Sequence, residues 1–227
     1  MSKKDYINRK MWDDPSKLEA RQKSIIDTYR KLFNRVSIPA DQQYWTMCGN
    51  LCNDEGSSNP GCEFLQISAS GLILPQQFVG VEIYWPTHEK NVKAFPQLDL
   101  RHNDIFQELN LSAKAGLLNP AIVNVDTPNL PKKASRMLSK ILKLLAYLEK
   151  EDILVVCNVV MNNPYKNGSL ESVDENNFVY LMKNNVRWQD CKNRWFWHGD
   201  LFSYKNHKNT VQMSSFVFSK KSKFSAE

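Results

Sequence analysis

From Lys17 onward, apolar side chains fall at Leu18, Ile25, Tyr29, Leu32, Phe33 and Val36 on a strongly charged background. This is helical spacing, and it ends before Pro39. The helix precedes everything else and reads as a lid or cap on the core. Ahead of it, residues 1–15 are polar and basic and close on Asp13-Asp14-Pro15, which predicts a mobile arm. After Pro39 the pattern alternates between strand and helix. Short β-prone runs are predicted at 44–48, 78–83, 98–102 and 120–126, and a near-continuous apolar strand at 152–161. Such a strand implies cover on both faces. Helices are predicted over Cys62–Leu74, over Lys132–Lys150 with Ala134, Met137, Leu138, Ile141, Leu145 and Leu148 as the buried stripe, and over Ser172–Asn185. The runs 195–205 and 209–220 read as a hairpin turning around Asn206-His207-Lys208.

Strands alternating with helices call for a parallel sheet with crossover helices, and the final hairpin adds antiparallel pairing at one edge. The expected organisation is a basic arm and helix at 1–40 followed by one α/β domain at 41–227. Composition narrows the class further. With 42% hydrophobic and 24% charged residues, the chain is neither disordered nor fibrous. No apolar run approaches the roughly 18 residues of a membrane span. The start, MSKKDYINRK, lacks the apolar stretch of a secretory signal, and the five cysteines are an odd number. Both point to reduced thiols and an intracellular, cytoplasmic protein. Thirty Lys and Arg against 24 Asp and Glu give a net charge of +6, which permits a nucleic-acid partner.

In open α/β sheets the ligand lies beyond the carboxyl ends of the strands. Four successive strand ends carry suggestive residues here. The first is followed by Gly49 and a loop containing Gly56 and Gly61, where backbone can approach a ligand closely. Glu82 ends the second, Asp104 follows the third and Asp126 ends the fourth. A carboxylate after strand two can accept both hydroxyls of a ribose. The structural alternative is that these acids solvate loops or cap helices.

Loop, acid, acid and acid in this order resemble the Rossmann-like S-adenosylmethionine-dependent methyltransferases, over about Tyr44 to Lys220. The segments that carry the resemblance are GVEI with Glu82, HNDIF with Asp104, NPAIVNVDTP with Asp126, and the closing hairpin. The resemblance implies S-adenosylmethionine as cofactor, with Glu82 on its ribose, Asp104 at its adenine, the Gly49–Gly61 loop at its amino-acid end, and Asp126 as the catalytic residue that orients or deprotonates the methyl acceptor. The compact glycine signature of that family is absent, because Cys48-Gly49 and Gly61 are separated by a long loop. The alternative is therefore a catalytically degenerate form of the same fold, serving as a nucleic-acid-binding or scaffolding subunit with a protein partner. Asn162-Asn163-Pro164-Tyr165 approaches the acceptor motif of amino-methylating nucleic-acid enzymes, but it follows the fifth strand and also reads as a turn.

Other chemistries find less support. Cys48, Cys52 and Cys62 are close in sequence, with His88 or His102 nearby, yet paired C-x2-C knuckles are missing and no metal is expected. There is no nucleophile elbow, no phosphate-binding P-loop and no G-x-G-x-x-G. Basic residues cluster more usefully. Arg136, Lys140 and Lys143 recur at helical spacing, Arg21, Lys23, Arg30, Lys31 and Arg35 decorate the N-terminal helix, and Lys205, Lys208, Lys220, Lys221 and Lys223 lie near the C-terminus. Trp188 and Trp197, interleaved with arginines, are candidates to stack bases of DNA or RNA.

Overall fold

Side chains alternate between the two faces of a sheet whose central strands are buried on both. The computed structural model describes residues 15–52, 62–127, 131–162, 175–205 and 212–220. Within them the strands are β1 Gln43–Met47, β2 Phe78–Glu82, β3 Asp99–His102, β4 Pro120–Thr127, β5 Leu154–Asn162, β6 Trp195–Lys205 and β7 Gln212–Lys220. They form one sheet in the order β3-β2-β1-β4-β5-β7-β6. The pairs among β1 to β5 are parallel, whereas β7 runs antiparallel to both β5 and β6. The expected parallel sheet with a terminal hairpin is what forms, with the second arm of the hairpin placed beside β5.

The helices are α1 Pro15–Arg21, a π-helical turn Gln22–Asp27, α2 Thr28–Phe33, α3 Glu63–Ala69, α4 Trp85–Ala94, α5 Ile105–Lys114, α6 Pro131–Ala146, α7 Glu175–Lys183 and α8 Val186–Cys191. They cover both faces of the sheet. On one face Val123, Val125, Val155 and Cys157 pack with Leu109 of α5, Leu138 and Leu145 of α6, Phe178 of α7 and Trp188 of α8. On the other, Tyr44, Phe78, Ile122 and Val156 pack with Ile25, Ile26, Tyr29 and Ile67. The odd and even residues of β4 thus enter different cores, as a period of two requires. The N-terminal helical region shares the second core. All five cysteines are buried, and none of them is in a disulfide.

Several details differ from expectation. The helix predicted over Cys62–Leu74 ends at Ala69, because the chain turns at Gly71 with φ +74°. That left-handed backbone suits a residue without Cβ. Helices α4 and α5 are additional, as is the short α8. In α4 only Asn91 is buried, so no apolar stripe announced it. Of the arm expected at 1–15, residues 1–14 lie outside the described ones and Pro15 opens α1; the hairpin turn Asn206-His207-Lys208, Lys221 and Lys223 also lie outside. No helix among the described residues is long and apolar enough to cross a membrane.

Candidate functional site

The carboxyl ends of β1 to β4 all open at the same edge of the sheet, so topology alone brings the strand-end residues to one edge. Gly49 follows β1 and has φ +50°. The loop leaving β1 is tied down by the buried Asn91 of α4. Its Oδ1 accepts from Leu51 N at 3.0 Å, and its Nδ2 donates to Gly49 O at 2.5 Å. Asn91 was invisible in the sequence, since a lone Asn in a polar helix carries no pattern. Gly56 and Gly61 lie outside the described residues.

Glu82 closes β2, in register with His102 of β3. Its Oε1 accepts from Tyr84 N at 2.7 Å. Burial pushes its carboxyl above the usual range, partly opposed by the Tyr84 and Ile83 N–H groups and by the nearby His102 and His88. A half-buried carboxylate gains from further hydroxyl donors. Around it, His88 Nε2 donates to Leu100 O at 3.2 Å and His102 Nε2 donates to Ile83 O at 3.0 Å. These bonds use the Nε2 atom of each histidine to hold nearby backbone. Among the described residues no group of three His, Cys, Asp or Glu is placed to hold a metal.

Asp104 is the N-cap of α5. Its Oδ1 accepts from Phe106 N at 2.9 Å and Gln107 N at 3.2 Å. The capping alternative therefore describes one of its oxygens, and an adenine amine would have to meet Oδ2. Removing the cap with Asp104→Ala is expected to cost about 1 kcal/mol of stability, read as a lowered urea midpoint with an unchanged slope.

Asp126 lies at the end of β4, and here the structure adds a partner that the sequence did not suggest. Lys17 of α1, 109 positions away, places Nζ 2.6 Å from Asp126 Oδ2. The two side chains are only 9% and 13% exposed, so this is a buried pair. Burial alone would raise the Asp126 pKa. The charge and hydrogen bond of Lys17, with Arg21 further off, outweigh it and hold the carboxyl below its ordinary value. Asp126 is thus an anion at neutral pH.

One helical turn after Lys17, Arg21 reaches a second buried carboxylate. Its Nε is 3.5 Å from Glu63 Oε2, with both side chains under 5% exposed. Arg21 was expected to decorate a surface, and this is corrected: it faces the sheet. Glu63 also accepts from Tyr44 Oη at 2.6 Å and from Asn124 Nδ2 at 2.9 and 3.0 Å. The network continues sideways. Asn158 Nδ2 donates to Asn124 Oδ1 at 3.1 Å, and Ser215 Oγ donates to Asn158 Oδ1 at 2.6 Å. Polar side chains from β1, β4, β5 and β7 are thereby satisfied beneath the acidic strand ends.

The expected nucleic-acid face is changed in part. Arg136 and Lys140 are exposed on α6, with Lys140 Nζ 5.4 Å from the centre of the Phe106 ring. Lys143 is paired with Asp190 at 2.7 Å. Trp188 is 6% exposed and belongs to the core, and Trp197 packs against Trp188 and stacks on Phe218. The Trp188 ring is thus committed to packing, whereas Trp197 stays half-buried beside it. Lys220 is likewise buried, its Nζ donating to the carbonyls of Leu145, Leu148 and Lys150. Of the Asn162-to-Tyr165 motif, residues 163–165 lie outside the described ones.

The arrangement of strands is that of the Rossmann-like methyltransferase fold. Two solved structures share it at low identity. The PH0226 protein from Pyrococcus horikoshii OT3 aligns with TM-score 0.52 and 12% identity over 97% of this chain and 100% of its own. DesVI from Streptomyces venezuelae aligns with TM-score 0.51 and 10% identity over 95% of each chain. A putative S-adenosylmethionine-dependent methyltransferase from Streptococcus mutans aligns with TM-score 0.48 and 11% identity over 85% of this chain, which spans 48% of that one. No family model matches, and no curated protein matches in sequence.

Proposed function

We propose that the chain is an S-adenosylmethionine-dependent methyltransferase acting on nucleic acid. The observation that carries the cofactor reading is Glu82: a half-buried carboxylate at the carboxyl end of β2, beside a β1 loop that Asn91 holds in place. The bound cofactor supplies a methyl group on a sulfonium. The chain's own task is to position donor and acceptor. Glu82 accepts the ribose hydroxyls, Asp104 offers Oδ2 to the adenine, and the Gly49 loop lies at the amino-acid end. Asp126, kept anionic by Lys17, is placed to accept a hydrogen bond from an acceptor amine.

The nucleic-acid reading is supported by Arg136 and Lys140 alone among the three cations at helical spacing on α6, since Lys143 already has Asp190. Replacing Arg136 and Lys140 by Gln is expected to flatten the slope of log affinity against log salt by about two units, one for each phosphate no longer neutralised. Adding Lys143→Gln should change the slope little further. The substitutions sit opposite the buried Leu138, Ile141 and Leu145, so the fold should persist. An unchanged slope in the folded double variant would show that this face is merely solvated.

A second reading, a degenerate binding or scaffolding subunit, draws on Asp126 Oδ2 already accepting a hydrogen bond from Lys17. Cofactor binding separates the two. A methyltransferase binds S-adenosylmethionine through Glu82, and the degenerate form does not.

A further inference from the structure

The connectors that enter β1, β2, β4 and β5 lie side by side at the amino-terminal edge of the sheet, because these strands are parallel neighbours in the order β2-β1-β4-β5. This edge is the pole opposite the candidate site. The connectors are bonded to one another. Ile38 N donates to Leu72 O at 2.9 Å, Gln77 Nε2 to Pro39 O at 2.7 Å, Gln43 N to Asn119 O at 2.9 Å and Asn119 Nδ2 to Asp41 O at 2.7 Å. Two ion pairs bring in the connector to β5: Arg35 Nη2 with Asp152 at 3.1 Å and Lys150 Nζ with Asp41 at 3.2 Å. On this fixed base each connector leaves one large apolar side chain in water. They are Val36, Leu74, Leu117 and Tyr147, between 52% and 75% exposed. Single exposed apolar side chains are ordinary. Four from adjacent connectors, framed by charged groups, have the layout of a protein interface, with an apolar centre and a polar rim.

We propose that this pole is the interface of a homodimer, in which two copies meet about a two-fold axis with their candidate sites facing outward. The charges of the rim favour that occupant. Two-fold contact sets a surface against itself, so the surface must be self-complementary. Here cation and anion stand in adjacent pairs, Arg35 with Asp152 and Lys150 with Asp41, and none of the four side chains is buried. Each pair can exchange partners with its symmetry mate without leaving a charge unpaired. Glu149 and Glu151 beside Lys150 balance Arg30 and Lys31 in the last turn of α2, so the rim as a whole is close to neutral. Nucleic acid or an anionic membrane would meet as many anions as cations there and gain little. The apolar centre supplies the attraction. This inference goes beyond the methyl-transfer reading and does not depend on it.

Sedimentation equilibrium of the full chain over about 1–100 μM tests this. The expected mass is twice the 26.3 kDa of one chain. Leu117→Arg and Tyr147→Arg each place a further charge in the apolar centre, and each should raise the dissociation constant about thirtyfold or more. Both positions are more than half exposed, so the variants should fold, which circular dichroism checks. Trp85→Arg changes an equally exposed ring at the opposite pole and should leave the dimer intact. A wild-type chain that stays monomeric throughout would overturn the proposal and leave the patch to a different protein. Dimers that survive both pole substitutions, or that dissociate in Trp85→Arg instead, would also overturn it, because the interface would then lie elsewhere. Should the arginine variants fail to fold, amide exchange of the wild type decides. Raising the concentration should slow exchange over residues 115–119 and 147–152 and leave 83–88 unchanged; slowing in neither region, or equally in both, would overturn the proposal.

Discussion

Replacing Glu63 with Ala is expected to destabilise the chain by about 3–5 kcal/mol, a large share of the roughly 5–15 kcal/mol that holds a typical domain folded. The size follows from what the carboxylate satisfies. It neutralises Arg21 in a site where both side chains are under 5% exposed, and it accepts from Tyr44 and twice from Asn124. Burial, and then the charge of Glu63, push the Tyr44 phenol well up, so Tyr44 acts only as a donor there. Removing Glu63 leaves a guanidinium, a hydroxyl and an amide without their acceptor in the core. Glu63→Gln, which keeps an oxygen for Tyr44 but loses the charge opposite Arg21, should fall between wild type and Ala. Urea unfolding checks both variants. A loss below about 1 kcal/mol for Glu63→Ala would mean that water or rearrangement replaces the network, and that the polar seam does not fix α1 to the sheet.

The seam also marks the limit of what local sequence patterns record. Strands were legible because period-two alternation and apolar runs reflect burial directly: Val123 and Val125 enter one core, Ile122 the other, and β5 is apolar except at Asn158 and Asn162 because both its faces are covered. The long α6 stripe was legible for the same reason. Helix α4 was not, since its single buried side chain is Asn91. Helix α5 carried a readable sign in its Asp104 cap, but the same residue also suited an adenine contact, and spacing alone cannot divide two oxygens between two roles. The partners of the acids were the least legible part. Lys17 and Asp126 meet across 109 positions, and no local pattern distinguishes a lysine that faces solvent from one aimed at a strand end. Trp188 and Trp197 show the opposite ambiguity, because an Arg-Trp alternation reads the same whether the rings meet bases or pack against Phe218. Exposed rings do exist, at Tyr84, Trp85, Tyr147 and Tyr180, but they sit in segments without periodic signals or on the polar side of a helix.

Calorimetric titration of the folded chain with S-adenosylmethionine, repeated with Glu82→Ala, tests the central claim most directly. In the free protein burial holds the Glu82 pKa above its usual value. Ribose hydroxyls donate to the charged form and draw that pKa back down, so binding releases a proton near the free-state pKa. Affinity should therefore rise with pH through that value and then level off. Because hydrogen bonds to a charged acceptor are worth about 1.5–3 kcal/mol, losing Glu82 should weaken binding by about tenfold to a hundredfold or more, with the fold intact. That weakening is the expected result, together with proton release that vanishes in Glu82→Ala. Binding indifferent to Glu82, or none to well-folded wild-type chain at millimolar cofactor, would contradict it.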